Sequence, residues 1–580
     1  QKIDCYIIPT DDYHHSEYVG DYFKFREYIT GFTGSAGTAV FTKDKAGLWT
    51  DGRYFIQAEA QLQGSGITLY KSGEPGVPTI EEFLKSELKE GDVLGFDGRT
   101  VTYAQGKRYC HITDENGASL KYSLDFAQNI WKERPEMSME SVFSLADEYT
   151  GEKIGSKLER IREIMKENGC NAHVLSSLDD IAWLLNIRGN DIAYCPLVLS
   201  YAIVYNNSVE LFADIRKFSD DIINLLAENQ VKIYPYEDIY RKVSEMTSED
   251  KLLLDSAIMN YSLYQAISKE TVIIDKQNPE ILMKSVKNET QAENLRKAHL
   301  KDAVAHTKFM YWLKKNIGRV EITELSASAR LEGLRAEQEH FLGPSFGPIS
   351  AYGEHGAIVH YSADEKSNVP LKEGKLFMTD TGGHYLEGST DITRTVALGE
   401  VGNLEKEHFT LVARAMLRLA NTVFLYGCSG ANLDCIAREI FWKEGLNFNH
   451  GTGHGVGYLL NIHEGPINFR WKEGERSAPA LEENMVITDE PGIYIEGSHG
   501  IRLENELLVR KTVKNEYGQF MNFEILTYVP IDLDAILPEK MSTEEKEMLN
   551  HYHKQVYEKV SPYLSEEERI WLKEYTRAVK

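Results

Sequence analysis

The sequence predicts a mixed α/β (α+β) chain in three parts. Two N-terminal α/β domains of similar type, residues 1–150 and 151–285, precede a C-terminal domain, 286–580, that ends in a helical extension. Three observations predict this. At 580 residues the chain is too long for a single core, so about three domains are the prior. Short apolar runs bounded by glycine or proline alternate with helical stretches. Residues able to bind metal gather in one stretch, Leu376 to Glu504.

The first domain offers strands at Cys5–Pro9, Thr38–Thr42 and Gly47–Thr50. Between them, Gly31-Phe32-Thr33-Gly34-Ser35-Ala36-Gly37 reads as a turn. Its spacing is not that of a dinucleotide site, and a strand follows where that motif needs a helix. Thr50-Asp51-Gly52-Arg53-Tyr54-Phe55 turns from strand into helix, and Arg53 is open to two readings, a structural ion pair or a ligand contact. Trp131 to Gly151, with Pro135 and mixed charges, reads as a linker. A helix from Ser156 to Asn168 opens the second domain. Each domain has an apolar strand, a helix ending near an aromatic (Tyr28, Trp183) and further strands, which points to a duplication.

In the third domain, Thr290-Gln291-Ala292-Glu293 reads as a capping box for a long helix to Asn316. A second helix spans Thr323 to Gln338, and a glycine-rich, strand-forming region leads to His360-Tyr361. Helices at Leu404–Tyr426 and Asn432–Glu444 divide the metal-binding stretch. Capping boxes at Ser542 and Ser565 predict the helical tail. Gly343-Pro344-Ser345-Phe346-Gly347 has the spacing of a serine-hydrolase elbow, but Pro348 forbids the helix that must follow, so the match is read as chance.

Asp plus Glu is 89 against 64 Lys plus Arg, a formal charge of −25, which argues against nucleic acid or an anionic membrane as partner. No apolar run reaches the roughly 18 residues of a membrane span. The six cysteines are scattered without a C-x-x-C pair and read as free thiols of a reducing compartment. Gln1-Lys2-Ile3-Asp4 has no signal-peptide features, although a leader removed before Gln1 stays open. The expected location is the cytoplasm.

Five residues carry the chemistry: Asp380, Asp391, His454, Glu490 and Glu504. Asp380 and Glu490 each end an apolar, strand-like run, where a carboxylate costs several kcal/mol unless something pairs with it. Glu490 and Glu504 are symmetric about the turn at Gly497, so a hairpin brings them opposite each other. Asp380 and Asp391 flank a turn near Gly388. Like charges so opposed are destabilising, and two such pairs in apolar strands point to cations between them. In His450-Gly451-Thr452-Gly453-His454-Gly455-Val456-Gly457 the glycines argue against a helix and for close backbone approach to a ligand or ion. Four carboxylates balance two divalent cations and leave a bridging hydroxide to be held. Oxygen ligands with one imidazole and no thiolate suit manganese, cobalt or iron better than structural zinc. Paired metals hydrolyse amides and phosphates, and the absence of a phosphate-cradling loop favours amides.

These five residues, in Thr379-Asp380-Thr381-Gly382, Thr390-Asp391-Ile392-Thr393-Arg394, His450–Gly457, Asp489-Glu490-Pro491-Gly492 and Ile501-Arg502-Leu503-Glu504-Asn505, resemble the metallopeptidases of the pita-bread fold. Over almost its whole length the chain resembles the long, three-domain Xaa-Pro aminopeptidases (aminopeptidase P). The resemblance extends to Thr50–Phe55, to Gly356-Ala357-Ile358-Val359-His360-Tyr361 and to Leu549-Asn550-His551-Tyr552-His553. It implies that Asp380 chelates one ion, Asp391 and Glu504 bridge two, and His454 with Glu490 completes the second. Two Mn2+ ions per chain are the implied cofactor, with Glu490 as general base. His360, His450 and His463 match histidines that bind substrate, steady the tetrahedral intermediate and shuttle protons. Arg53 matches a peptide-contacting arginine, and Arg502 one beside the site. Peptides with proline second are the implied substrate, cut by the bridging hydroxide, and a homodimer is the implied assembly.

Three alternatives stay open on the sequence. A prolidase, restricted to Xaa-Pro dipeptides, uses the same five ligands. A methionine aminopeptidase does not need two leading domains. A metal-free pita-bread binding module usually lacks one or more ligands, whereas all five stand here.

Overall fold

The structure, a computed structural model, describes residues 2–472 and 478–580. Contacts divide the chain into two compact units, residues 1–147 with 152–281 and residues 148–151 with 282–580.

The first unit holds two six-stranded sheets. One is built from β1 (Cys5–Pro9), β2 (Thr38–Thr42), β3 (Ala46–Thr50), β4 (Thr68–Lys71), β5 (Val93–Gly95) and β6 (Ser119–Lys121). The other comprises β7 (Ala172–Leu175), β8 (Tyr201–Tyr205), β9 (Val209–Phe212), β10 (Val231–Tyr234), β11 (Lys251–Leu254) and β12 (Val272–Asp275). Their orders, β4-β3-β2-β1-β5-β6 and β10-β9-β8-β7-β11-β12, are the same. So are their directions: the first three strands of each sheet pair antiparallel and the outer pairings are parallel. The repeated plan matches the duplication expected from the sequence. The halves also interlock. Tyr261 of the second lies in the core of the first, edge-on to Phe96 at 5.8 Å and Tyr122 at 5.0 Å.

The segment read as a linker is partly ordered. Phe143–Ser144 pairs with Ile187–Arg188. Glu148 and Thr150 accept hydrogen bonds through their carbonyls from Asn294 and Asn288 of the second unit's first helix and its cap, each at 2.8 Å.

That helix, α1 (Glu289–Asn316), begins two residues earlier than the sequence signal. Asn288 caps it in a box with Gln291, displacing Thr290 and Glu293, because the Asn288 side chain reaches the Gln291 N–H at 2.9 Å. After α2 (Glu324–Ala336) come β13 (Lys375–Thr381) and β14 (Ile392–Leu398), then α3 (Asn403–Ala420). The helix foreseen to Tyr426 stops at Ala420, because Phe424 and Leu425 pair with Met521 and Phe520. The remaining elements are α4 (Gly430–Lys443), β15 (Val486–Asp489), β16 (Gly492–Ile495), β17 (His499–Arg502), β18 (Asn505–Asn515), β19 (Gly518–Ile525), α5 (Thr543–Val560) and α6 (Glu566–Tyr575).

One apolar core joins Phe309 and Leu313 of α1, Val412 and Met416 of α3, Phe377 of β13, Val396 of β14, Ile487 of β15 and Leu507 of β18. The helices thus back the strands that carry the metal-binding candidates. Ser345 is fully buried and its Oγ donates to the Thr390 carbonyl at 2.8 Å, so no serine nucleophile stands there. Among the described residues no helix is long and apolar enough to cross a membrane.

Candidate metal centre

Strands β13 and β14 pair antiparallel with Asp380 opposite Thr393. Asp391 sits one residue before β14, so this hairpin offsets its two acids by two positions. The second pair is more symmetric. Strands β16 and β17 pair with Ile493 opposite Ile501 and Gly492 opposite Arg502, a register that continues to Glu490 and Glu504. Gly497, at φ 69°, supplies the left-handed turn. Gly453 brings the histidine in: a Cβ there would lie 1.9 Å from the Thr488 carbonyl oxygen, so only glycine lets the two-residue strand Gly453–His454 pass β15.

These local devices converge. Ligand atoms of Asp391, His454 and Glu504 lie within 4.8 Å of one another. His454 Nε2 is 3.5 Å from Asp391 Oδ2 and 3.7 Å from Glu490 Oε1. His454 Nδ1 lies 3.0 Å from the Gly455 carbonyl, which can only accept, so the proton is on Nδ1 and the Nε2 lone pair faces the carboxylates. Thr393 Oγ1 donates to Glu504 Oε2 at 2.7 Å, and Thr488 Oγ1 to Glu490 Oε1 at 3.4 Å.

The electrostatics follow from this crowding. Burial pushes Asp391 and Glu504 well above the usual carboxylate range, and the neighbouring acids push further. Glu490 is raised by burial and by Asp380, against the pull of His454 and Arg502. Asp380 differs. Its Oδ2 accepts from Arg502 Nε at 3.1 Å and from Nη2, while its buried Oδ1 has no hydrogen-bond partner. An orphaned carboxylate oxygen among acids held up in pKa fits a site for divalent cations, which replace the protons those acids would otherwise bind.

Behind Asp380 runs a chain of defined polarity. Burial would lower Arg502, but Tyr494, Asp380 and Glu490 hold its guanidinium well above its ordinary value. Arg502 Nη1 donates to Tyr494 Oη at 2.7 Å, and Tyr494 Oη lies 2.8 Å from His450 Nε2. His450 Nδ1 is 2.7 Å from the Gly451 carbonyl, so Nδ1 carries the proton and Nε2 accepts from Tyr494. Burial, with Arg502 adding, pulls His450 down to about 3, so it is neutral and both nitrogens are committed inside the protein. His450 thus connects to Asp380 through Tyr494 and Arg502.

His463 stands edge-on to His454, ring centroids 4.2 Å apart. His360 lies in the turn after the short helix Gly353–Ala357, beside Val359, whose carbonyl accepts from Arg502 Nη2 at 3.4 Å. Arg53, in the first unit, makes a two-pronged pair with Asp51 at 2.8 Å for both bonds. That contact is the structural reading of Arg53. Sequence reasoning missed Thr393, Thr488, Tyr494 and Glu506. Glu506 accepts the Asp391 N–H at 2.6 Å, and its signal was a charged residue two positions beyond Glu504, directly ahead of the apolar run Leu507-Leu508-Val509.

Comparison with known proteins agrees with this geometry. Residues 293–511 match metallopeptidase family M24 and residues 519–579 the C-terminal region of that peptidase. Residues 1–120 and 133–291 match creatinase/prolidase N-terminal domains. Aminopeptidase P1 of Arabidopsis thaliana is 35% identical over 100% of this chain and 97% of its own. An X-prolyl aminopeptidase from Caenorhabditis elegans, described as a cytosolic enzyme with a di-nuclear active site, superposes with a TM-score of 0.95. It is 34% identical and covers 100% of this chain and 96% of its own. An Xaa-Pro dipeptidase from Bacillus anthracis, 25% identical with a TM-score of 0.53, covers 66% of this chain and 99% of its own. The aminopeptidases match the full length, the dipeptidase only part, and the second unit has the pita-bread fold.

Proposed function

The chain belongs to metallopeptidase family M24, and on that premise we propose how its residues serve a dinuclear aminopeptidase. It is a metal-dependent enzyme that releases the N-terminal residue from peptides with proline second. The observation that carries this reading is the meeting of Asp391, His454 and Glu504 within 4.8 Å, walled by Asp380 and Glu490.

Asp380, Asp391, His454, Glu490 and Glu504 are the residues that would hold the ions. The oxygen-rich set favours Mn2+. The chemistry that divalent ions held by these residues would supply is an acidified water and a polarised scissile carbonyl. Glu490 is the proposed general base, taking the proton of the attacking water and later yielding it to the leaving proline nitrogen. His360 and His463 are proposed to hold the peptide and to steady the charge that develops on the carbonyl oxygen. Arg502 keeps Asp380 oriented, and His450 supports Arg502 through Tyr494, a positioning role in place of a catalytic one. Arg53 is proposed to touch the peptide.

An X-Pro bond is a tertiary amide without N–H, and the proline ring locks φ. Enzymes that grip that N–H fail on it, whereas a pocket shaped to the ring uses its rigidity as binding energy. We further propose three folding domains with boundaries near 150 and 285, a homodimer and a cytoplasmic location. The six free cysteines are consistent with the last. The test is hydrolysis of X-Pro-Pro against X-Pro by manganese-loaded protein. Cleavage of the tripeptide is expected; activity confined to the dipeptide would favour a prolidase.

A further inference from the structure

Asp391 has no place in the β13–β14 ladder, since β14 begins at Ile392. Its backbone is held by other means. On one side Thr390 is pinned three times. Its N–H donates to the Gly383 carbonyl at 2.9 Å, its Oγ1 donates to Asp302 of α1, and its carbonyl accepts from Ser345 Oγ at 2.8 Å. On the other side the Asp391 N–H donates to Glu506 Oε1 at 2.6 Å.

Glu506 is itself fixed. It lies on β18 opposite Thr488, and its N–H donates to Thr527 Oγ1 at 2.9 Å. Its second oxygen, Oε2, is 3.1 Å from His299 Nε2 of α1, and neither side chain is exposed. His299 and Asp302 are three residues apart and share one face of the helix. That face therefore supports both halves of the Thr390–Asp391 connection, Asp302 through Thr390 and His299 through Glu506. Glu506 is fully buried on the same strand face as buried Leu508, a position that suits an apolar residue for packing alone. A carboxylate there is costly; one oxygen accepts from a ligand candidate's backbone N–H, and the other lies against the His299 ring without a hydrogen bond.

We propose that Glu506, packed against His299, is a positioning residue that aims Asp391 and thereby sets the affinity of the centre for its metal ions. This inference rests on the metal-centre reading above. Ligand groups act within about 0.5 Å of their working geometry, and a hydrogen bond to the ligand's own amide holds it there. Substitution of such supporting partners typically costs about 10–100-fold in metal affinity.

The experiment is calorimetric titration of metal-free full-length protein with Mn2+, for wild type, Glu506→Leu, Glu506→Gln and His299→Phe. Circular dichroism melting of each metal-free form monitors folding. Glu506→Leu is expected to weaken at least one ion by about 10–100-fold. Glu506→Gln keeps the acceptor oxygen and is expected to stay within about threefold of wild type. His299→Phe is expected to weaken binding in the same direction by less. Leu and wild type binding both ions equally would overturn the proposal, as would a Gln variant as weak as Leu. A drop in metal-free melting temperature with unchanged metal affinity would leave Glu506 merely structural and also overturn it. If Glu506→Leu does not fold, unchanged metal affinity in His299→Phe decides against it. Wild type that binds no divalent ion would sink the metal-centre reading itself, a failure told apart by the wild-type titration alone.

Discussion

Acids at ion pairs of the first unit and acids at the metal centre of the second meet opposite fates. In the first unit Asp191 is paired with Lys217, both side chains nearly inaccessible, and Asp125 lies 3.0 Å from Arg134 and 2.9 Å from Arg99. Burial would raise Asp125, but those arginines hold it below its ordinary value. In the second unit the same burial raises Asp391, Glu490 and Glu504, and the neighbours that press on Asp391 and Glu504 are other acids. The difference teaches how to separate structure from chemistry: acids answered by fixed cations hold the fold, and acids gathered without enough of them await mobile ones.

The sharpest way to break this comparison is to remove one acid of the centre. Asp391→Asn is expected to lower kcat/KM by about 10³-fold or more, several kcal/mol of lost cation stabilisation at 1.36 kcal/mol per decade. Full activity on X-Pro-Pro in that variant would contradict the mechanism. The matching change in the first unit is Lys217→Met, which strands Asp191. It is expected to cost about 3–5 kcal/mol of stability, read in denaturant melts, with manganese stoichiometry unchanged.

A third test uses pH. The folded pKa values of Asp391, Glu490 and Glu504 are raised above unfolded values near about 4. The folded metal-free chain therefore holds protons that unfolding releases. That contribution is fully present below the unfolded values and is lost as pH rises through the folded ones. Metal needs the deprotonated ligands, so its dependence is reversed. Metal-free melting temperature is thus expected to fall as pH rises above the unfolded carboxylate range, while the increase on adding manganese grows. At 100 times Kd the added stability is about 2.7 kcal/mol. A manganese effect that shrinks with rising pH would count against the acids as ligands. The smallest expected effect is that of Arg502→Lys, which cannot span Asp380 and Tyr494 at once. A loss of about 10–100-fold in activity is expected, and equality with wild type would remove Arg502 from its orienting role.

Much of the centre was legible because its signals are local. A carboxylate ending an apolar run, and two glutamates mirrored about Gly497, are patterns within one hairpin, and the observed Ile493–Ile501 pairing keeps that register. The repeated strand plan of the first unit showed only faintly, as two similar runs of elements. What stayed hidden depends on contacts between distant positions. Glu506 meets His299 across 207 positions, and Arg394 donates to Tyr552 Oη across 158 positions at 2.7 Å. No periodicity encodes such pairs. Errors at helix ends have a similar cause. Asn288 outcompeted Thr290 as the cap, and sheet pairing at Phe424 overrode helix propensity.

The most direct test is metal stoichiometry. Elemental analysis of manganese-loaded, dialysed protein, in parallel with Asp391→Asn, is expected to find two ions per wild-type chain and fewer in the variant. A fully active wild-type chain carrying one ion or none would contradict a cluster of acids held together by a pair of cations.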